Sequence, residues 1–216
     1  VVKKLPESLE GLAIVGHARA APSFLRLQNL KSFSLQARPT YAAAKLVSGV
    51  TTDVPNLEEL ELTFAADFVI AAVEPLSRLR KLTIQCTGNF ENLATVVWDS
   101  PNLQSLSARC DYSPGKAKDD ILAAVKDLHM LEHLALNLSS ENDLDIAQLL
   151  SDMPSLRSVV YWGEPSVLDP GVLARLHRLE LRTGGEAIGW DALRHATHMR
   201  EFMMQLVKCT CTGLFE

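Results

Sequence analysis

The chain has 216 residues, is 47% hydrophobic and carries a formal net charge of −5. That charge offers no basic excess for nucleic acid, and no apolar run approaches the roughly 20 residues of a membrane span. The four cysteines, Cys86, Cys110, Cys209 and Cys211, are too few and too clustered for a disulfide framework. A reducing compartment, cytoplasm or nucleus, is therefore expected. No secretory leader is visible and residue 1 is Val1, so we expect residues 1–216 to be a single domain within a longer chain.

Taken in order, the chain repeats one phrase, L-x-x-L-x-L. It begins as Leu9-Leu12-Ile14 and Leu30-Phe33-Leu35. Leu57-Leu60-Leu62 follows, inside VPNLEELELTF, and the segment 65–75 after it (AADFVIAAVEP) has the apolar spacing of a helix. Leu79-Leu82-Ile84 leads to 89–99 (NFENLATVVWD), a helix that Asn89 can cap. Leu103-Leu106-Ala108 leads to the helix pattern of 116–127, and Leu131-Leu134-Leu136 to that of 141–152, with Ser140 or Asn142 as cap. Leu156-Val159-Tyr161, Leu176-Leu179-Leu181 and a weaker Met199-Phe202-Met204 complete the series. The eight steps from residue 9 to residue 199 average about 24 residues, inside the window of repeat architectures.

The physics of the phrase predicts the unit. Positions four and six alternate with polar neighbours, the mark of a short strand with one buried face. Each unit is then a strand, a turn and a helix, and none can bury its apolar face without a neighbour. Pro55, Pro101 and Pro154 stand just before their strands, where a missing N–H harms no ladder.

Across nearly its whole length the chain resembles the leucine-rich repeat superfamily. Within it, long irregular repeats written P-N-L-x-x-L-x-L are most similar to the ribonuclease-inhibitor-like arrays of F-box proteins. The superfamily's usual Asn or Cys at position nine is replaced by Ala65, Thr87 and Asp111. The resemblance implies an α/β leucine-rich repeat solenoid of about eight to nine repeats, a right-handed horseshoe or arc. Its parallel sheet lies on the concave face and its helices on the convex face. It also implies a protein-protein interaction scaffold, the substrate-recognition array of an F-box-type ubiquitin ligase subunit. An F-box preceding this segment would recruit the F-box adaptor. The alternative is a regulator of another class, a GTPase-activating or enzyme-inhibitor-like binding module.

Candidate chemistry is sparse. Cys209 and Cys211 form half a metal site with no second pair, and zinc needs four ligands. His195 and His198 share one face of an expected helix without an acidic third ligand. The glycine-rich segment 183–189 lacks a Walker lysine. Asp119-Asp120 and Asp143-Asp145 read as acids at helix starts. Cys86 and Cys110 hold equivalent places in adjacent repeats and read as small buried residues. No enzyme, cofactor, metal, nucleic acid or membrane partner is expected.

What remains is the face that positions three, five and seven of each strand present. Early and middle strands offer small polar residues such as Ser32, Ser34, Thr83 and Ser107, with Arg109 and His133 further on. The late strands place Trp162 beside Val160, flanked by Arg178 and Arg182. Trp and Arg dominate binding hot spots, so these residues (Trp162, Arg178, Arg182, Val160, Arg109 and His133) are the expected protein-binding surface. At the ends, Leu5, Leu12 and Ile14, and Phe202, Met204 and Phe215, look uncapped.

Overall fold

In the computed structural model the described residues are 5–16, 27–38, 40–64, 68–69, 76–87, 90–91, 93–110, 115–138, 146–162, 169–183 and 193–206. Every copy of the phrase becomes a strand: β1 (Gly11–Gly16), β2 (Ser32–Ala37), β3 (Glu59–Phe64), β5 (Lys81–Cys86), β7 (Ser105–Cys110), β8 (His133–Leu138), β9 (Ser158–Trp162), β10 (Arg178–Thr183) and β11 (Glu201–Leu206). These nine pair in chain order, all parallel, in one sheet.

The register never slips. Position four of each rung faces position four of the next, from Leu12 through Phe33, Leu60, Leu82, Leu106, Leu134, Val159 and Leu179 to Phe202. A one-residue slip would turn every leucine outward, so burial fixes the register. Leu60, Leu82, Leu106, Val159 and Leu179 are each no more than 1% exposed. Leu30, Leu57, Leu79, Leu103, Leu131, Leu156 and Leu176, the first positions, are also buried and close the core beneath the turn before each strand.

A backbone device repeats at every step and a side-chain device at four of them. The carbonyl of position two, from Glu10 to His177, accepts N–H groups from positions two and three of the next rung at 2.7–3.2 Å, at all eight junctions. The residue just before position one ties rungs from the other side. Asn29 Nδ2 donates to the Glu7 carbonyl (3.1 Å), Asn56 to Gln28 (2.7 Å) and Asn102 to Ser77 (2.7 Å). The Ser155 hydroxyl does the same to His129 (2.8 Å). The Asn of P-N-L is thus a rung-to-rung clamp, satisfying a turn carbonyl that no strand reaches.

Between strands lie α1 (Tyr41–Asp53), α2 (Leu93–Trp98), α3 (Gly115–Lys126), α4 (Ile146–Asp152) and α5 (Pro170–Arg175). Leu46, Val47 and Val50 of α1, Val96 and Val97 of α2, and Ala124 and Val125 of α3 are buried against the sheet. A helix is about 10 Å wide and a strand spacing about 4.8 Å. The helical side is therefore the longer one and the sheet lies on the inside of the arc. This is a leucine-rich-repeat-type α/β solenoid.

Several local expectations need correction. The segment 65–75 is not a helix at Phe68–Val69: these residues form strand β4, which pairs with β6 (Phe90–Glu91) in a separate two-stranded sheet. Phe and Val at 68–69 favour extended backbone, and the parallel partner at Phe90 rewards it. For the same reason α2 starts at Leu93, not at residue 89. Asn89, Ser140, Asn142, Asp143 and Asp145 lie outside the described residues. Asp119 and Asp120 fall beyond the first turn of α3, which starts at Gly115. Two helices carry caps that the repeat scan passed over. Thr40 Oγ1 accepts the Ala43 N–H at 3.1 Å to start α1, and Asp169 Oδ1 accepts from Gly171 and Val172 ahead of Pro170-started α5.

Candidate functional site

The open face of the sheet is built by alternation. With positions four and six committed to the core, positions three, five and seven must stand on the other side. From β2 to β8, position five is small or short in most rungs: Ser34, Thr83, Ser107 and Ala135, with Glu61 the exception. Glu59 and Glu61 are exposed while Leu60 and Leu62 between them are buried, as the phrase requires.

Five of the six residues expected at a binding surface fall on this face, in rows that cross β7 to β10, and the backbone of the sixth, Arg182, is in register with them. Row seven holds Arg109, opposite Asn137 of β8, and then Trp162, whose register partner is Arg182. Row five holds Val160, opposite Glu180. Row three holds His133, opposite Ser158, which is opposite Arg178. Arg109, His133 and Arg178 are exposed, and Val160 and Trp162 are half-buried. The backbone of Arg182 stands beside Trp162; its side chain lies outside the described residues.

The last three strands hold a feature that sequence reading missed. Glu180 belongs to the open face yet is 4% exposed. Its row-five neighbours are Val160 on one side and Met203 on the other. Arg178, two residues back on the same face, bridges it: Nη2 stands 3.1 Å from Glu180 Oε2, and Nη1 stands 3.5 Å from Glu201 Oε2 of β11. A carboxylate removed from water needs such a partner. Arg178 is therefore occupied in holding Glu180, whereas Met203, 55% exposed, adds apolar surface beside it. The signal was present in the spacing, since Glu180 and Met203 occupy position five of the last two rungs. The weakness of the final phrase hid it.

The remaining candidates do not converge on chemistry. His195 and His198 sit in consecutive turns, with the Ala196 N–H on the Leu193 carbonyl and the Met199 N–H on the Ala196 carbonyl, not along a helix. Cys86 is buried and in register with Cys110. Cys209, Cys211 and Phe215 lie outside the described residues, as does the glycine-rich segment beyond Thr183. Among the described residues no group of three or more His, Cys, Asp or Glu is arranged to hold a metal. Among them also, no helix is long and apolar enough to cross a membrane.

Arg175, the last residue of α5, performs a different task. Its Nη2 donates to the carbonyls of Leu150 and Met153, at the end of α4 one rung earlier. Burial, then the neighbouring charge of Arg157, lowers its pKa from the ordinary guanidinium value, while Asp169 raises it. A guanidinium at a helix C-terminus meets both the open carbonyls and the negative end of the dipole.

No family model matches the chain, and no curated protein matches it. Among solved structures it is similar to an internalin from Listeria monocytogenes, with 15% identity and a TM-score of 0.46. The match covers 88% of this chain and 60% of that one. The fold is defined by the unbroken parallel register and the rung-to-rung bonds described above: a leucine-rich-repeat-type α/β solenoid.

Proposed function

We propose that this chain is a protein-binding scaffold, not an enzyme, and that its partner sits on the open face over β7 to β11, centred on Trp162. The observation that carries the reading is the contrast along one face. Small polar residues line the early and middle strands, and a half-buried Trp162 then stands with Val160, Met203 and Arg182 on the last three. A rigid aromatic on a sheet loses little entropy on binding and excludes water well. The finer reading is the substrate-recognition array of an F-box-type ubiquitin ligase subunit, working in the cytoplasm or nucleus. The P-N-L phrases and the helices between strands support it.

Affinity capture from source cells with wild type, Trp162→Ala and Gln85→Ala tests the binding reading. Trp162→Ala should lose the partner, by at least about 2 kcal/mol, and Gln85→Ala should keep it. Equal capture by all three variants sinks it. Co-purification of the F-box adaptor with the longest natural form of the chain tests the ligase reading separately. Capture of a small GTPase or of a single inhibited enzyme in its place would favour the regulator.

A further inference from the structure

Five of the chain's six histidines belong to the last four rungs: His129, His133, His177, His195 and His198. All five are exposed. They gather where the strands begin, at the rim of the sheet. At that rim position two forms a row, because each position-two carbonyl is bonded to the next rung's position-two N–H. In the last three rungs the row reads Arg157, His177, Arg200. Adjacent members are one strand spacing apart, about 4.8 Å. His198 precedes the last rung and Arg178 follows His177. The opposite end of the same rim is acidic, with Glu7, Glu10, Glu58 and Glu59 interrupted by Lys31, which pairs with Glu10 at 3.3 Å.

We propose that the rim of rungs seven to nine, extended to His133, is a docking strip for an acidic segment of the partner protein, rich in Asp and Glu. This rests on the protein-binding reading and names the partner's chemistry. The chain as a whole is negative, so a local positive row is a selective feature that bulk charge does not supply. Arg157 is already positioned, with Nη1 on the carbonyls of Pro154 (3.1 Å) and Leu156 (3.3 Å), which leaves its other donors for a carboxylate. A duplex or single-stranded nucleic acid is the poorer fit. The strip spans only two strand spacings at full charge, and the remaining surface repels a polyanion.

The charges around each histidine are mixed. His177 has Arg157 and Arg200 as row neighbours, with Arg178 on its own strand and Glu201 on the next. His133 follows Glu132 and lies across from Ser105 and Ser158. His198 stands between His195 and Arg200, with Arg194 nearby and Arg175 one rung earlier.

The test is fluorescence anisotropy with a labelled peptide of about 15 residues, alternating Glu and Asp with Ser and Gly. A Ser-Gly peptide and a single-stranded oligonucleotide of similar length serve as controls. We expect the acidic peptide to bind at least about tenfold tighter than the Ser-Gly peptide at low salt. Arg157→Glu and Arg200→Glu should each weaken that binding about tenfold or more. Thermal melts confirm that each variant is folded. Absence of binding by the acidic peptide, equal binding of the Ser-Gly peptide, unchanged binding in either variant, or tighter binding of the oligonucleotide overturns the proposal. Trp162→Ala should bind this peptide normally, so loss of the rim and loss of the central face are read separately.

Discussion

Leu60 sits on the third of the nine rungs, and its replacement by alanine probes the register directly. It is 1% exposed, with Phe33 (1%) on one neighbouring strand and Leu82 (0%) on the other at the same position. Both neighbours are held by backbone ladders on their own strands, so they cannot slide in to fill the space. Leucine-to-alanine changes in cores cost about 2–5 kcal/mol, more where the site cannot collapse. We therefore expect about 4 kcal/mol for Leu60→Ala. For a chain of this size each kcal/mol lowers Tm by about 2–4 °C, giving a fall of roughly 8–16 °C. Glu61, the next residue, is exposed between Ser34 and Thr83, and Glu61→Ala should stay within about 0.5 kcal/mol of wild type. Paired thermal and urea unfolding of the two variants is the assay. A Leu60→Ala change of less than about 1 kcal/mol, or an equal cost for Glu61→Ala, refutes the assignment of faces.

Removing the rung clamp with Asn102→Ala should cost about 0.5–1.5 kcal/mol in urea unfolding, since water can reach the exposed Ser77 carbonyl it leaves. Arg175→Ala strands the Leu150 and Met153 carbonyls at the end of α4 and should cost more, about 1–3 kcal/mol, with faster amide exchange in α4 than in α1. The two edge strands expose Val15 (76%), Phe202 (39%) and Met203 (55%), so sedimentation of these 216 residues alone should show concentration-dependent association. A clean monomer at every concentration would count against that.

The ladder was legible because its signal is redundant. Nine copies of one phrase specify the same inward positions, and burial enforces what the pattern states. Segments between phrases were harder to read. Phe68 and Val69 fit a helical spacing and a strand equally well by apolar content, and their pairing with Phe90 and Glu91 decided the matter. The α1 helix has a plain start at Thr40, yet it lies in the 27-residue step between Leu30 and Leu57 that the phrase does not describe. The clamp role of Asn56 and Asn102 was invisible because the acceptor is a carbonyl one rung away. At the candidate site, the rows of Trp162, Val160 and Arg178 followed from alternation alone. The burial of Glu180 did not, because its cover comes from three strands and from an ion pair that joins two of them.

Hydroxyl-radical footprinting of the chain with and without its captured partner examines the binding face most directly. We predict that oxidation of Trp162 and Met203 falls in the complex while Trp98, 47% exposed on α2, is unchanged. Protection of Trp98 with Trp162 and Met203 unaltered would place the partner on the helical side and contradict the account.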